Sequence, residues 1–414
     1  MTTIEPMINH RILTLIGQGV IIPAPLSVEI DDDVDLSRIS SGVTLHRGTR
    51  ISGGDTWLAP GVTLGEEAPA TVVSCQMGPG SSLKGGYAKK AVFLKGASAG
   101  SGAHIREGSI FEEEASCAHT VGLKQTILLP FVTLGSLINF CDVLMTGGTN
   151  RKDHSEVGSS YIHFNYTPNQ DKATASLLGN IPQGVMLDQP PIFLGGQGGL
   201  VGPCQLTFGT VVAAGTIMRK DEDRPKKLHF GGASRAGSVS ASSGIYQNVK
   251  RIASHNIHYM GNLLALWTWT CHIRRCFIGP DYPEALYESH LAAIDMAIKE
   301  RVKRFKGFVE KLPASLEAAI AKGALGKDTP LAQQKHELIA GVESFEENLL
   351  RLYAQLKLEK VPDSFAVEAT SSAYIAWVKA LDKTQKQSGT QWLKSIVTRT
   401  ETMAADLFPL TLTS

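Results

Sequence analysis

The segment from Asp153 to Lys172 contains the side chains of this chain that are best suited to acid–base and binding chemistry. Histidine is the side chain that exchanges a proton most readily near neutral pH, and His154 and His163 both lie in this segment. Lys172 carries a positive charge that can pair with an anion. Asn165 and Tyr166 carry hydrogen-bond donors and acceptors. These residue types can transfer a proton and bind a polar or anionic group.

Composition and charge exclude several other classes of protein. Charged residues make up 19% of the 414 residues and the formal net charge is +1, which gives no reason to expect nucleic acid or an anionic membrane as a partner. The six cysteines form no CxxC pair and fit no common zinc site, so no metal is predicted. The first residues do not resemble a signal peptide, and the apolar stretch 262–269 is too short to span a bilayer. We therefore expect a cytoplasmic protein.

The elements that must position these side chains are indicated by an internal repeat. Leu194, Leu200, Leu206, Val212 and Met218 recur every six residues, with a small or branched residue two positions before most of them. The same spacing of six recurs in four earlier runs: Ile39, Leu45 and Ile51; Leu58 and Leu64; Ile105, Phe111 and Cys117; Leu128, Leu134 and Phe140.

A period of six predicts a parallel β-helix. Each unit is a short strand and a tight turn, and three units close a triangular coil of about 18 residues whose stacking buries the aliphatic position. An α-helix repeats at about 3.6 residues and an exposed strand at about 2, so neither explains the spacing. A β-sandwich would require coincidental spacing. Segments 66–92 and 145–190 do not keep the period and are predicted to be loop excursions, which often carry function.

A helical region follows the repeats. Glycine becomes rare after about residue 245, and helices are predicted over 282–312, 331–358, 372–381 and 390–407 from the spacing of their apolar residues. The apolar segment 255–277 is interpreted as a core element, with His255, His258 and His272 as ordinary polar groups. The predicted domains are an N-terminal segment at 1–27, a β-helix at 28–245 and an α-helical domain at 246–414.

Three parts of the repeat region resemble a known family of hexapeptide-repeat proteins. LIGQGVIIPAP at 15–25, EVGSSYIHFNYTPNQDK at 156–172 and FLGGQGGLVGPCQLTFGTVVAAGTIMRKD at 193–221 resemble the acetyltransferase domain of the bacterial bifunctional glucosamine-1-phosphate acetyltransferase and N-acetylglucosamine-1-phosphate uridylyltransferase. With the repeats between them, they cover about half the chain. The resemblance implies a left-handed β-helix, a homotrimer, and acyl transfer from acetyl-CoA or another acyl-CoA to an amino sugar phosphate or nucleotide sugar.

The resemblance also implies roles for individual residues. Asn165, Tyr166 and Lys172 match the positions that bind the amino-sugar phosphate in that family. The small residues along its acetyl-CoA groove match Ser159, Gly196 and Ala214.

This chain departs from the family in two respects. The glycine-rich motif of the uridylyltransferase domain is absent, so no nucleotidyl transfer is expected. The family's catalytic histidine precedes the Asn-Tyr pair, but the matching stretch here reads SLINFCDVLMTGG and contains no histidine. His154 and His163, which flank the block, are the candidate bases. The acidic run Glu112–Glu114 falls near a lysine of the family and inverts the local charge.

Three alternatives to a transferase remain open from the sequence. The first is a non-catalytic protein that binds a sugar phosphate or sugar nucleotide on the same scaffold. The second is a trimeric scaffold protein whose helical domain makes the functional contacts. The third is a carbonic-anhydrase-like hexapeptide protein, for which His104, His119 and His154 would have to supply the zinc ligands.

Overall fold

The repeat region forms a continuous stack of parallel coils, followed by helices. A computed structural model describes residues 8–231, 237–238, 244–323, 325–326, 328–365 and 373–413. Its N-terminal half is a parallel β-solenoid of about 11 turns, and its C-terminal part is helical. The predicted fold class, a hexapeptide-repeat left-handed parallel β-helix followed by a helical domain, is therefore confirmed.

Each coil crosses three faces, which are named here in the order in which the chain reaches them. Face 1 consists of Thr44–Leu45, Thr63–Leu64, Ser82–Leu83, Ser98–Ala99, Ser116–Cys117, Thr133–Leu134, Glu156–Val157, Phe193–Leu194, Val211–Val212 and Leu228–His229. Face 2 consists of Glu29–Ile30, Arg50–Ser52, Ala70–Val73, Gly86–Lys89, Ala103–Ile105, Gly122–Leu128, Asn139–Met145, Ile162–Phe164, Gly199–Val201 and Ile217–Met218. Face 3 consists of Trp57–Leu58, Gln76–Met77, Val92–Phe93, Ile110–Phe111, Ser176–Leu178 and Gln205–Leu206, together with the ends of Gly122–Leu128 and Asn139–Met145.

Coils are numbered from the N-terminus. Coil 1 begins at Ile21, which bridges Thr44 of coil 2, and coil 11 begins at Leu228. Neighbouring coils pair in parallel, so equivalent residues stack directly above one another. On face 2, for example, Ile105 pairs with Leu123, and Leu123 pairs with Phe140. All five residues of the longest repeat run, Leu194 to Met218, are buried, as the period predicted.

The two predicted excursions need correction. Segment 66–92 contains strands Ala70–Val73, Gln76–Met77, Ser82–Leu83 and Gly86–Lys89, which pair in parallel with both adjacent coils and are therefore part of the β-helix. The buried residues of this segment, Val72, Met77, Leu83 and Ala88, are five or six residues apart, so it follows the coils without a strict period of six. Segment 145–190 leaves the coils at three places: a hairpin of Gly148–Asn150 and Asp153–His154, a loop at 165–175, and the stretch 179–192.

The helices confirm the predicted helical region, with shifted ends. They are α1 His10–Gly17, α2 Ile181–Gly184, α3 Val249–His272, α4 Glu284–Val309, α5 Leu312–Ala321, α6 Pro330–Leu356, α7 Tyr374–Ala380, α8 Lys383–Leu407 and α9 Pro409–Leu412. Short 3₁₀ turns lie at Pro25–Ser27, Leu36–Arg38, Arg274–Phe277 and Asp363–Phe365. The predicted start at Ser372 lies outside the described residues. Within the described ranges, no helix is long and apolar enough to cross a membrane.

The helices cover face 3 of the β-helix. Outward-pointing Val92, Ile110, Ile127, Leu144 and Leu177 are buried in one hydrophobic cluster with residues of α3, α4, α6 and α8. A second cluster fills the interior of the coils. Strands buried on both sides have apolar residues in succession rather than alternating ones, which explains the pairs Val-Phe, Ile-Phe, Ile-Leu and Leu-Met along this face. Faces 1 and 2 carry no helical layer in the described structure.

Buried ion pairs join the helical region to the coils. The Arg274 guanidinium contacts the Glu113 carboxylate, with Nη1 to Oε2 at 3.0 Å, and Arg301 pairs with Asp142 at 2.6 Å. His290 lies 3.5 Å from Glu112. Glu112 and Glu113 of the acidic run therefore face the helices, whereas Glu114 is exposed. Since breaking a buried pair costs about 3–5 kcal/mol, these contacts fix how the helices sit on the coils.

Candidate functional site

The residues predicted to line an acyl-CoA groove occupy equivalent positions in three successive coils. Ser159, Gly196 and Ala214 each follow by two residues the last buried residue of face 1, at the corner between faces 1 and 2. The carbonyls of Ser159 and Gly196 accept hydrogen bonds from the turn residues Gln197 and Gly215 of the next coil, at 2.8 and 2.9 Å. The structure thus aligns the three positions along one corner.

The same corner position continues into earlier coils and includes a histidine. The corner ladder, as it is called here, runs through His119, Ser136, Ser159, Gly196 and Ala214 in coils 6 to 10. The Ser136 backbone N–H donates to Ser159 Oγ at 3.1 Å, and Ser136 Oγ lies 3.0 Å from His119 Nδ1. His119 is exposed. The ladder therefore ends, two coils from Ser159, at a solvent-accessible imidazole held by a serine.

Coil stacking alone requires small residues beside this ladder. A Cβ on Gly195 would lie 2.3 Å from the Ala214 backbone nitrogen, and a Cβ on Gly158 would lie 2.4 Å from that of Gly196. Residue size at the corner therefore follows from close packing of successive turns. The exposed side chains of the ladder, rather than its glycines, carry the functional argument.

A shallow groove of about 500 Å³ lies on face 2 next to His119. Gly122 has no side chain and leaves a gap between outward-pointing His104 and Asn139 in the coils on either side. His104 stacks on Tyr87 with ring centroids 5.1 Å apart. The remaining walls of the groove are formed by Arg106, Thr120, Leu137 and Ile138. The groove thus offers an imidazole, a guanidinium and an amide to a polar or anionic ligand.

His163 is a core residue and not an accessible base. It lies opposite Leu200 on face 2, only 4% exposed, in the inward series of the coils. Its Nδ1 lies 2.6 Å from the Cys141 carbonyl, to which it can only donate, so Nε2 accepts from the Ser176 hydroxyl at 2.8 Å. Burial lowers the pKa of His163 to about 4. With both nitrogens engaged, this candidate base is corrected to a structural role.

His154 lies at a different corner of the coils. It is on the hairpin that leads from face 3 of coil 7 to face 1 of coil 8, and its Nε2 is 3.8 Å from Glu156 Oε2. The corner ladder is at the far end of that face 1 strand. His154 is therefore separated by a whole face from Ser159 within one chain.

The predicted sugar-phosphate residues lie on the loop at 165–175, at the corner between faces 2 and 3. Tyr166 is 82% exposed, Lys172 is exposed, and Asn165 is half-buried. The loop is tied to the helical region because the Tyr246 hydroxyl donates to Asp171, whose other oxygen accepts from the Ala173 N–H at 2.8 Å. The burial of Tyr246 and its bond to Asp171 raise the pKa of this phenol.

Coil 8 therefore carries the three predicted groups at three different corners: His154, then Ser159, then the loop with Asn165, Tyr166 and Lys172. The residues that sequence reasoning passed over are Ser136 and His119. His119 was considered only as a zinc ligand beside His104 and His154. In the part of the chain that the structure describes, no three His, Cys, Asp or Glu side chains are grouped to hold a metal ion, so those three do not converge.

Comparisons with known proteins give partial matches. No family model matches the chain. The bifunctional protein GlmU of Nitratidesulfovibrio vulgaris, in strains DP4 and Hildenborough, is 26% identical over 224 residues. That match covers 52% of this chain and 43% of those proteins, so this chain spans less than half of their length.

The similar solved structures match at low sequence identity and low TM-score. UDP-N-acetylglucosamine acyltransferase from Campylobacter jejuni is 12% identical, with a TM-score of 0.22 over 51% of this chain and 69% of its own. The LpxA structure from Moraxella catarrhalis RH4 is 13% identical, with a TM-score of 0.20 over 49% and 66%. Likenesses at this level carry no functional argument. The chain is a hexapeptide-repeat protein with the left-handed β-helix fold, weakly homologous to GlmU over about half its length.

Proposed function

We propose that this protein is an acyl-CoA-dependent acyltransferase that acts on an amino sugar phosphate or a nucleotide sugar. The observation that carries the proposal is the corner ladder, which leads from Ala214, Gly196 and Ser159 through Ser136 to the exposed imidazole of His119. Acetyl-CoA or another acyl-CoA would lie along the first three positions. Coils stack about 4.8 Å apart, so His119 lies roughly 10 Å beyond Ser159.

The residues at the end of the ladder suit acyl transfer. In the tautomer in which Nδ1–H of His119 donates to Ser136, Nε2 is free to take a proton from the acceptor amine or hydroxyl. That nucleophile attacks the thioester carbonyl, a C–N or C–O bond forms, the C–S bond breaks, and the proton passes to the departing thiolate. Arg106 and Asn139 in the adjacent groove can hold an anionic, hydroxyl-bearing acceptor.

A homotrimer is part of the proposal. Since one chain places the predicted groups at three corners, a site containing all of them needs corners from neighbouring chains. Face 3 is covered by helices, which leaves faces 1 and 2 for contact. Both carry outward apolar side chains in the last coils, namely Phe193, Val211 and Leu228 on face 1 and Ile162, Phe164 and Ile217 on face 2. A three-fold ring joins two different surfaces of each subunit, which fits this arrangement.

The first test is calorimetric titration of the purified protein with acetyl-CoA. Saturable binding is expected, and Ala214→Trp should abolish it because the indole fills the ladder. Arg47 holds the equivalent corner position of coil 2 and is exposed, so Arg47→Trp is the matched control and should bind normally. Absence of acetyl-CoA binding to the unmodified protein would refute the transferase proposal.

The second test assigns the base. With glucosamine 1-phosphate or UDP-N-acetylglucosamine as acceptor, release of free thiol from acetyl-CoA is measured for His119→Gln and His154→Gln. We expect His119→Gln to lose turnover while keeping acetyl-CoA binding, and His154→Gln to remain active. If His154→Gln lost turnover and His119→Gln remained active, His154 would be the base.

A non-catalytic protein that binds a sugar phosphate, or a trimeric scaffold, is the second candidate. It is favoured by the burial of His163 and by the separation of His154 from the ladder. Binding of glucosamine 1-phosphate that is lost in Lys172→Ala, without any acetyl-CoA binding, would support the binding protein. Unchanged ligand binding in Asn165→Ala, Tyr166→Ala and Lys172→Ala would instead support the trimeric scaffold protein.

A further inference from the structure

The helical region contains a groove that the proposed acyl transfer does not use. It lies between α4 and α6, has a volume of about 630 Å³, and is closed at one side by Asn169, Gln170 and Asp171 of the loop at 165–175. This volume falls within the range of about 300–1,000 Å³ that is typical of small-molecule sites.

The floor of the groove is apolar. Ile298 and Val302 of α4 face Leu349 and Tyr353 of α6, and Leu350 stands at the rim with 58% of its surface exposed. Gly307 adds no side chain to this wall, and a Cβ there would meet no atom within 4 Å. An apolar chain could therefore lie along the groove without displacing protein atoms.

The acidic side chains of the lining are nearly all committed to partners within the protein. Asp171 accepts from Tyr246, Asp295 accepts from the Tyr353 hydroxyl, and Glu346 pairs with Lys306 at 2.5 Å. Arg304 is likewise paired, with Glu300 at 2.7 Å. Glu310 is the acid of the lining that has no such contact among the described residues.

Three lysines of the lining remain without an ion pair in the part of the chain that the structure describes: Lys299, Lys303 and Lys311. Together with Glu310 they leave a net positive charge at the rim. Lys299 and Lys303 are four residues apart on α4, an arrangement in which like charges repel and weaken a helix. An anion between them would remove that repulsion.

We propose that this groove binds a small amphipathic anion, with its apolar chain on the floor formed by Ile298, Val302 and Leu349 and its anionic group held by Lys299 and Lys303. Lys311 extends the positive rim. The chemistry that it recognises is that of a medium-length fatty acyl carboxylate. The site is separate from the corner ladder, so it does not depend on the proposed transferase activity.

The test is a calorimetric titration of the full chain with dodecanoate, below the concentration at which that anion forms micelles. Saturable binding is expected. The double variant Lys299→Gln/Lys303→Gln should bind at least about tenfold more weakly, because each lost charge-assisted hydrogen bond accounts for a factor of that size. Lys322 and Lys360 are exposed in the same region outside the groove, so Lys322→Gln/Lys360→Gln, which removes the same charge, should bind like the unmodified protein.

Two further arms separate this site from nonspecific binding. Val302→Trp should block dodecanoate while the circular dichroism spectrum stays unchanged. Dodecyltrimethylammonium, which has the same chain and the opposite charge, should not bind. Equal binding of the two amphiphiles, equal affinity in both double variants, or no binding of dodecanoate to the unmodified protein would each overturn the proposal. None of these results bears on the transferase proposal, which is tested by acetyl-CoA binding.

Discussion

Acidification should destabilise this protein through His163. Burial lowers the pKa of this imidazole from 6.5 to about 4, because its protonated form would lie in the apolar interior of the coils. The unfolded chain takes up a proton near pH 6.5, whereas the folded chain does so only near pH 4. The contribution of neutral, buried His163 to the free energy of unfolding is therefore complete above about pH 6.5. It is lost as the pH falls toward 4. At 1.36 kcal/mol for each pH unit, the loss amounts to roughly 3 kcal/mol.

The assay is urea unfolding at several pH values between about 7 and 4, with the free energy of unfolding compared between variants. His163→Leu places a residue like the neighbouring Leu200 in the inward series and should flatten the profile in this range. The variant is expected to be less stable overall, since the Cys141 carbonyl and the Ser176 hydroxyl lose a partner. His336, which is exposed on α6, supplies the control: His336→Leu should keep the profile of the unmodified protein. The reasoning would be refuted if the free energy of unfolding fell equally on acidification in the unmodified protein, His163→Leu and His336→Leu. An NMR titration that places the pKa of His163 near 6.5 would refute it as well.

Three further changes test the packing of the molecule by chemical or thermal unfolding. Arg274→Leu leaves the Glu113 carboxylate buried without a cation and should cost about 3–5 kcal/mol, part of which Glu113→Gln should recover in the double variant; full additivity would contradict the pairing. Gly195→Ala brings a Cβ to 2.3 Å from the Ala214 backbone and should cost about 1–3 kcal/mol, so an unchanged melting temperature would argue against close stacking at this corner. Burial lowers the pKa of Lys335, and Lys335→Met should raise the free energy of unfolding by about 1 kcal/mol because no buried amine has to be desolvated; a loss of stability would show that the amine is needed where it lies.

The period of six by itself determines the coil architecture of the N-terminal half. Leu194 to Met218 recur at this spacing because each six-residue unit turns one large aliphatic side chain into the interior of a three-sided coil, with a smaller residue two positions before it. His163 follows the buried Val157 by six residues and therefore belongs to the same inward series. Because histidine is polar, the sequence alone does not predict its burial. His119 follows Cys117 by the same two residues that separate Ser159 from Val157, so the corner ladder was present in the spacing and became visible only with the coil register.

Only the tertiary structure decided which face the helices cover and which side chains meet across that contact. The pairs Arg274–Glu113 and Arg301–Asp142 join residues separated by about 160 positions in the chain, and no local pattern links such partners. The apolar pairs along face 3 become interpretable only once α3 and α4 lie on them. Local sequence periodicity sets how each coil turns because it acts on neighbouring residues. The covered face, the buried charges and the α4–α6 groove depend on contacts between distant parts of the chain, so they follow from the folded structure alone.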